Sequence, residues 1–276
     1  MKNIDLATVE GFGDEWERFD QSEMSLKERE IIFATQFDIF PWHILPPNPE
    51  GCDIGCGSGR WSNMVAPRVG HLHCVEPSSA LSVAKRTLAG HSNVSFHNAG
   101  VDDLPMPDES LDFAYSLGVL HHIPDTAAAM RACVKKLKPG APFLVYLYYR
   151  FDTRPGWYQK LWQLSESIRS VVSKQSHGLR YFTSQILAGA VYWPLARAAA
   201  LAEQTGVNVE HWPLTAYRKR SFYVMRTDAL DRFGTQLEHR FTKTEIEEMM
   251  RDSGLENIRF SDAVPFWVAV GTKCAG

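Results

Sequence analysis

The sequence predicts an α/β fold built on a doubly wound, mostly parallel sheet. Between residues 51 and 149, short apolar or β-branched runs alternate with helix-like segments, which is typical of parallel strands joined by crossover helices. Near the C-terminus, two more runs lie close together in the chain and favour an antiparallel pair. We therefore expect seven strands with the last one antiparallel. The expected strands cover residues 52–54, 72–76, 94–97, 111–117, 143–149, 256–260 and 266–272, with Pro265 at the last connection.

Composition excludes several classes of protein. A chain of 276 residues with 45% hydrophobic and 22% charged residues is typical of a soluble globular protein. The formal net charge of −3 offers no global basic field for nucleic acid. Residues 1–23 lack a basic stretch followed by an apolar run, so no signal peptide is expected. Together with the few scattered cysteines, which suit a reducing compartment, these features favour a cytoplasmic protein, and they leave the oligomeric state open.

The five cysteines do not form a metal-binding or disulfide pattern. Cys52 lies in an expected strand and Cys56 in a glycine turn, and no Cys-x-x-Cys pair accompanies them or Cys74. We expect these three side chains to be small buried hydrophobes, and we expect no metal ion.

The chain divides into three predicted segments. Residues 1–44 form a helical segment in which Trp16 and Phe19 either close over a ligand as a lid or pack on the protein surface. Residues 45–149 and 241–276 form the α/β domain, and Thr242 to Glu245 has the pattern of a helix capping box. Residues 150–240, rich in tryptophan and tyrosine, form an inserted helical cap.

One stretch of the cap, residues 186–202, is mostly apolar. It contains Pro194 and Arg197 and is shorter than the roughly 20 apolar residues that a membrane span needs. We expect a helix buried in the protein, with a helix lying on a membrane surface as the alternative.

A glycine-rich turn follows the first expected strand. Residues 51–62 read Gly-Cys-Asp-Ile-Gly-Cys-Gly-Ser-Gly-Arg-Trp-Ser, with glycines at 55, 57 and 59. Glycine permits positive φ and lets a ligand approach the backbone N–H groups at a helix start. The next expected strand ends in Glu76, where a carboxylate can accept hydrogen bonds from two ribose hydroxyls. This combination predicts a site for an adenosine-containing cofactor.

The spacing of the glycines disfavours two cofactor classes. The dinucleotide fingerprint requires glycine at position 60, where this chain has Arg60. A P-loop requires Gly-Lys-Ser or Gly-Lys-Thr, which does not follow these glycines.

The motifs resemble those of the class I S-adenosylmethionine-dependent methyltransferases, in particular methyltransferase type 11. The resemblance covers residues 45–149 and 241–273. The matching motifs are Asp-Ile-Gly-Cys-Gly-Ser-Gly at 53–59, Val-Glu-Pro-Ser at 75–78, Asp-Asp-Leu-Pro-Met at 102–106, Ser-Leu-Asp at 110–112, Ser-Leu-Gly-Val-Leu-His-His-Ile-Pro-Asp at 116–125 and Leu-Lys-Pro-Gly at 137–140.

The resemblance implies a Rossmann-like fold, S-adenosylmethionine as the cofactor and S-adenosylhomocysteine as the product. Family members often carry an aspartate for the adenine amino group where this chain has Gly100, so Asp102 or a nearby backbone carbonyl would take that role. The implied cofactor-binding residues are Asp53, Gly55, Cys56, Gly57, Gly59, Glu76, Pro77, Val101, Asp102 and Leu117.

Residues for the acceptor substrate are predicted at two places. His121 and His122 follow the fourth expected strand and are candidates for a general base, or else cap or pack against the next helix. In the cap, Arg218-Lys219-Arg220 lies among aromatic residues, an arrangement that suits an anionic group beside a sugar-like face or forms a solvated surface. The candidate substrate-binding residues are Tyr149, Arg150, Tyr217, Arg218 and Tyr223.

These residues predict O-methylation of an anionic or sugar-like small molecule. No Asn-Pro-Pro-Tyr follows the fourth expected strand, which disfavours planar exocyclic amines as acceptors and leaves O-, C- and aliphatic N-methylation open. Two alternatives remain: a quinone or lipid methyltransferase at a membrane surface, and a non-catalytic cofactor-binding protein.

Overall fold

The computed structural model describes residues 3–264 and 266–275 and contains a seven-stranded sheet. The strands are β1 (Glu50–Ile54), β2 (His71–Val75), β3 (Val94–His97), β4 (Phe113–Leu117), β5 (Pro142–Tyr146), β6 (Leu255–Phe260) and β7 (Val268–Lys273). Their order in the sheet is β3-β2-β1-β4-β5-β7-β6. Strands β1 to β5 pair in parallel, and β7 pairs antiparallel with both β5 and β6. The predicted fold class is confirmed, while Pro265 lies outside the described residues.

The strand order reverses beside β1. The chain builds β1, β2 and β3 outward in one direction and then returns to place β4 on the other side of β1. At such a switch point the connections after β1 and β4 leave toward opposite faces, so a crevice opens at the carboxyl ends of the strands. The fold thereby positions a ligand site next to the glycine turn.

The helices of the described residues are α1 (Leu6–Arg18), α2 (Leu26–Gln36), α3 (Ser62–Val65), α4 (Ala80–Thr87), α5 (Thr126–Lys135), α6 (Gly156–Val172), α7 (His177–Leu187), α8 (Trp193–Gln204), α9 (Phe222–Gly234) and α10 (Lys243–Asp252). Helices of the same compact unit cover both faces of the sheet. One core joins α5 and α10 to the sheet through Met130 and Met250, and the other is built around Phe37, Trp61 and Leu88. Because both faces are covered, the central strands are almost wholly buried.

Local sequence signals set the start and end of α10. The Thr242 hydroxyl accepts a hydrogen bond from the Glu245 backbone N–H at 3.2 Å, and the Glu245 carboxylate accepts one from the Thr242 N–H at 2.7 Å. Gly254, with a φ of +85°, follows the helix. The predicted capping box is confirmed, and it fixes where the chain re-enters the sheet.

The described chain divides into two compact units. The second unit consists of Ser22–Arg29 and Phe151–Gln236, and the first contains the remainder, including the sheet. The second unit is helical, with a core formed by residues such as Tyr192, Met225 and Phe233. The roles predicted for residues 1–44 as a lid and for residues 150–240 as a substrate cap stay predictions.

The apolar stretch at residues 186–202 forms the end of α7, a π-helical turn and most of α8. Ala188, Ala196 and Ala199 are fully buried, whereas Ile186 and Leu201 are exposed. The burial predicted for this stretch therefore holds for one side of the helix only. In the part of the chain that the structure describes, no helix is long and apolar enough to cross a membrane.

Candidate functional site

The turn after β1 requires glycine. Gly55, Gly57 and Gly59 have φ values of +80°, +52° and +77°, in the left-handed region that residues with a side chain rarely adopt. A Cβ atom on Gly55 would lie 2.5 Å from the Val119 side chain, and one on Gly57 would lie 2.9 Å from Trp16 Nε1. Both the backbone conformation and the neighbouring atoms therefore exclude larger residues.

Glu76 is held against this turn. Its buried carboxylate accepts one hydrogen bond from the Gly57 backbone N–H at 3.1 Å and another from the Ser78 N–H at 3.0 Å. Burial raises the pKa of Glu76, and these hydrogen bonds oppose the increase because they favour the charged form. The carboxylate is thereby oriented before any ligand binds.

A cavity with about 920 Å³ of empty space, partly open to solvent, adjoins the carboxyl ends of β1, β2 and β4. Seven of the ten predicted cofactor residues line it. These are Gly55, Cys56, Gly57, Glu76, Pro77, Val101 and Leu117.

The other three predicted cofactor residues lie behind or beside the cavity. Asp53 is buried under the turn and accepts a hydrogen bond from Ser62 Oγ at 2.5 Å, and burial raises its pKa to about 7. Gly59 permits close packing, because a Cβ atom there would lie 3.2 Å from Ala84 Cα. Asp102 accepts a hydrogen bond from the Asn3 backbone N–H. Direct contact of these three residues with a cofactor stays a prediction.

The N-terminal segment forms one wall of the cavity. Asn3 exchanges two 2.8 Å hydrogen bonds with the Asp125 backbone, and Thr8 Oγ1 accepts a 3.3 Å hydrogen bond from the Leu237 N–H. Phe12 and Trp16 of α1 also line the cavity. Trp16 was predicted either as a lid residue or as a packing residue, and no role was predicted for Asn3, Thr8 or Phe12. The glycine at position 13, in a segment expected to be helical, was an available signal, since a Cβ there would lie 2.6 Å from Ser79 Oγ.

Arg60 is a further residue of the cavity for which no role was predicted from the sequence. Its guanidinium lies 5.1 Å from the Trp16 ring and 4.4 Å from the Trp61 ring, and all three side chains line the cavity. Cation–π contacts of this kind hold a charged group in a fixed place. Arg60 therefore puts a positive charge beside the glycine turn, where it can attract the carboxylate of an amino-acid group.

Of the two histidines predicted as bases, the structure brings only His122 to the cavity wall. His122 Nδ1 lies 2.7 Å from the Leu237 carbonyl oxygen. Because a carbonyl only accepts, Nδ1 carries the hydrogen, and in the neutral ring Nε2 keeps the lone pair.

His121 is fully buried, and its ring centroid lies 3.8 Å from that of Tyr148. Burial, followed by the charges of His122, Arg240 and His239, lowers the pKa of His121 well below 6.5. Among the residues the structure covers, neither ring nitrogen of His121 has a hydrogen-bond partner. The surroundings thus indicate a neutral packing residue, and its predicted catalytic role remains untested.

The predicted substrate residues are engaged in other contacts. In the first unit, Tyr149 packs against Trp267 with ring centroids 5.4 Å apart, and Arg150 forms a 2.7 Å ion pair with Glu245. Neither Tyr149 nor Arg150 is a cavity-lining residue. Tyr217, Arg218 and Tyr223 belong to the second unit. Substrate contact by these five residues stays a prediction.

The cysteines and the titratable residues give no metal-binding cluster. Cys52, Cys56 and Cys74 are buried, as predicted from their positions. Within residues 3–264 and 266–275, no group of three or more His, Cys, Asp or Glu side chains is arranged to hold a metal ion.

Residues 52–145, which contain the glycine turn, Glu76 and His122, match the family model described as a methyltransferase domain. The chain carries a class I S-adenosylmethionine-dependent methyltransferase domain. Its enzyme class is therefore methyltransferase, and its cofactor is S-adenosylmethionine. This assignment agrees with the glycine spacing, which disfavours both a dinucleotide site and a P-loop.

Curated relatives and solved structures resemble this methyltransferase chain over different lengths. A ubiquinone biosynthesis O-methyltransferase from Hahella chejuensis is 30% identical over 144 residues, which cover 51% of this chain and 60% of that enzyme. The enzyme of the same name from Stutzerimonas stutzeri is 25% identical over 80% of this chain and 94% of its own length. A methyltransferase structure from Methanosarcina mazei has a TM-score of 0.51 at 17% identity, covering 85% of this chain and 96% of that chain. The similarity to the Methanosarcina mazei structure supports the fold alone.

The residues of the methyltransferase cavity fit the three parts of this cofactor. The glycine turn and Arg60 suit the amino-acid end, and the oriented Glu76 carboxylate suits the two ribose hydroxyls. Val101 and Leu117 supply apolar surface for a flat base. When bound, the cofactor supplies an activated methyl group, and the chain's own residues bind and orient the two reactants.

Proposed function

We propose that this methyltransferase O-methylates the hydroxyl group of a small molecule and that His122 acts as the general base. The observation that carries the proposal is the position of His122 at the cavity wall with Nδ1 bonded to the Leu237 carbonyl. This bond orients the ring and leaves Nε2 as the basic nitrogen. His122 Nε2 would accept the proton of the hydroxyl group as its oxygen takes the methyl group, and the methyl–sulfur bond of the cofactor would break to release S-adenosylhomocysteine.

Orientation of the two reactants is the larger contribution to the rate. Effective molarities from positioning reach roughly 10⁵ to 10⁸ M, whereas a general base contributes about 10² to 10⁴ in rate. The base increases the rate most for a hydroxyl group with a high pKa, because only a small fraction of such groups is ionised near neutral pH.

Between the substrate classes predicted from the sequence, we favour a phenolic quinone precursor over an anionic sugar. Both relatives reported above are named ubiquinone biosynthesis O-methyltransferases. The anionic class rests on Arg218-Lys219-Arg220, and the side chains of Arg218 and Lys219 form ion pairs with Glu203, at 2.9 and 3.1 Å. A phenol with an apolar substituent therefore has the better support.

The proposal is tested by measuring S-adenosylhomocysteine formation with three sets of acceptors: phenols carrying a hydrocarbon tail, phosphorylated sugars and aliphatic amines. We expect turnover with the phenols. Preference for the sugars would restore the anionic class, and preference for the amines would contradict a hydroxyl acceptor. Binding of the cofactor without product from any acceptor would favour the non-catalytic alternative.

A further inference from the structure

The second unit exposes a stripe of large apolar side chains along α6. Trp157, Leu161, Leu164, Ile168 and Val171 are spaced alternately four and three residues apart and are 41–64% exposed. Residues at this spacing lie on one face of a helix. A single exposed apolar residue is ordinary, but five on one helix face form a continuous surface that water solvates poorly.

The neighbouring helix α7 extends this surface. Helices α6 and α7 contact each other, and both pack on α9 with their inner sides. Their exposed residues therefore face away from α9. On α7 the exposed large apolar side chains are Leu179, Phe182 and Ile186, which are again three and four residues apart. These three residues and the five of α6 are called the apolar face below.

The exposed charges within α6 to α8 are of one sign. Between Gly156 and Gln204, a stretch described without gaps, the charged side chains classed as exposed are Lys160 and Lys174. The carboxylate of Glu166 binds Arg169 and Arg232, and that of Glu203 binds Arg218 and Lys219. The face is therefore apolar with exposed lysines and no exposed carboxylate.

We propose that the apolar face docks on the surface of a lipid bilayer containing anionic lipids. Apolar residues that enter the boundary between headgroups and acyl chains, together with lysines that contact anionic headgroups, are the features of helices that lie in a membrane interface. Trp157 suits this boundary, because indole has an apolar body and one polar N–H group. The helices lie on the membrane and do not span it.

The charges argue against a second copy of the chain as the occupant. A two-fold interface brings the same surface of both copies together, so Lys160 and Lys174 of one copy would meet the lysines of the other. No exposed carboxylate of α6–α8 is present to pair with them. An anionic bilayer supplies the missing negative charge.

Vesicle flotation of the full chain tests this proposal. One set of vesicles contains phosphatidylcholine and phosphatidylglycerol in equal amounts, and the other contains phosphatidylcholine alone. We expect the chain to float with the anionic vesicles, and we expect added salt to weaken that binding. Ile186→Glu should weaken it by roughly tenfold or more, since it replaces an apolar contact by a repelled charge.

The matched control is Ile31→Glu on α2, because Ile31 is 49% exposed and Ile186 is 52% exposed. Both variants should retain cofactor binding by calorimetry and the circular dichroism spectrum of the parent chain. Absence of flotation, or equal loss in both variants, would overturn the proposal. A dimer in sedimentation that Ile186→Glu abolishes, without vesicle binding by the parent, would identify a second copy as the occupant. Vesicle binding is measured without acceptor substrate, so its failure leaves the proposed reaction untouched.

Discussion

The Glu76 carboxylate accepts a 3.1 Å hydrogen bond from the Gly57 backbone N–H, which joins the end of β2 to the turn after β1. Two motifs that are 19 residues apart in the sequence therefore form one binding surface. The bond also uses one of the outward N–H groups of the turn to orient the acid. We therefore expect a change in either the glycine turn or Glu76 to weaken cofactor binding.

We predict that Glu76→Ala weakens S-adenosylhomocysteine binding roughly 10- to 100-fold, because hydrogen bonds to a charged group contribute about 1.5–3 kcal/mol. Isothermal titration calorimetry measures the dissociation constant directly. The control is Glu248→Ala, which removes an exposed carboxylate from α10. Equal affinity of the Glu76 variant and the control would place the ribose elsewhere.

Gly57→Arg should abolish cofactor binding and leave the secondary structure intact. The turn has a φ of +52° at Gly57, and Trp16 leaves no room for a Cβ atom. Gly90→Arg is the matched control, since Gly90 has open space around its Cα and no positive φ. Calorimetry measures the cofactor affinity, and circular dichroism measures the secondary structure. Cofactor affinity retained in the Gly57 variant would contradict the position of the pocket.

The sheet and the glycine turn could be predicted from the sequence because their signals are local. Alternating apolar runs predict parallel strands, and the glycines with Glu76 predict a ribose-binding edge. Positions 55, 57 and 76 line the cavity, and their contact with a cofactor stays a prediction. The capping box at Thr242 was also predictable, since all its contacts lie within one helical turn.

The N-terminal wall of the cavity could not be predicted, because it depends on contacts between distant parts of the chain. Asn3 reaches Asp125, and Thr8 reaches Leu237, through pairs more than 100 residues apart. No periodicity or motif reports such pairs. The same reason separates His121 from His122: two adjacent residues point into different surroundings, and only the packed fold decides which one faces the cavity.

We predict that His122→Asn lowers kcat by about 10² to 10⁴ while cofactor affinity changes little. Asparagine retains an N–H donor for the Leu237 carbonyl but has no basic nitrogen. The measurement is the rate of S-adenosylhomocysteine formation with the best phenol, together with its pH profile, which should lose the limb for deprotonation of the base. His43→Asn, at an exposed position, is the control. Unchanged kcat would exclude His122 as the base.

We predict that the free energy of unfolding decreases as the pH falls below about 6.5, in part through His121. Burial lowers the pKa of His121 well below 6.5, so the folded state keeps the ring neutral while the unfolded chain takes up a proton. In this pH range the unfolded state binds more protons, and acid therefore favours unfolding.

The variant His121→Phe keeps an aromatic ring beside Tyr148 and removes the protonation site. Between about pH 7.5 and about pH 5.5, its loss of unfolding free energy should be smaller than that of the parent by about 1 kcal/mol. Urea unfolding at the two pH values measures this difference. An equal loss in the two proteins would show that His121 does not contribute to acid sensitivity.

The central claim is that the cavity between the glycine turn and Glu76 holds the methyl donor. A crystal structure of the chain with S-adenosylhomocysteine tests it most directly. We expect the ribose hydroxyls within hydrogen-bond distance of the Glu76 carboxylate and the amino-acid end against Gly55 and Gly57. The ligand bound at another place, or a cavity that stays empty at saturating ligand, would contradict the claim.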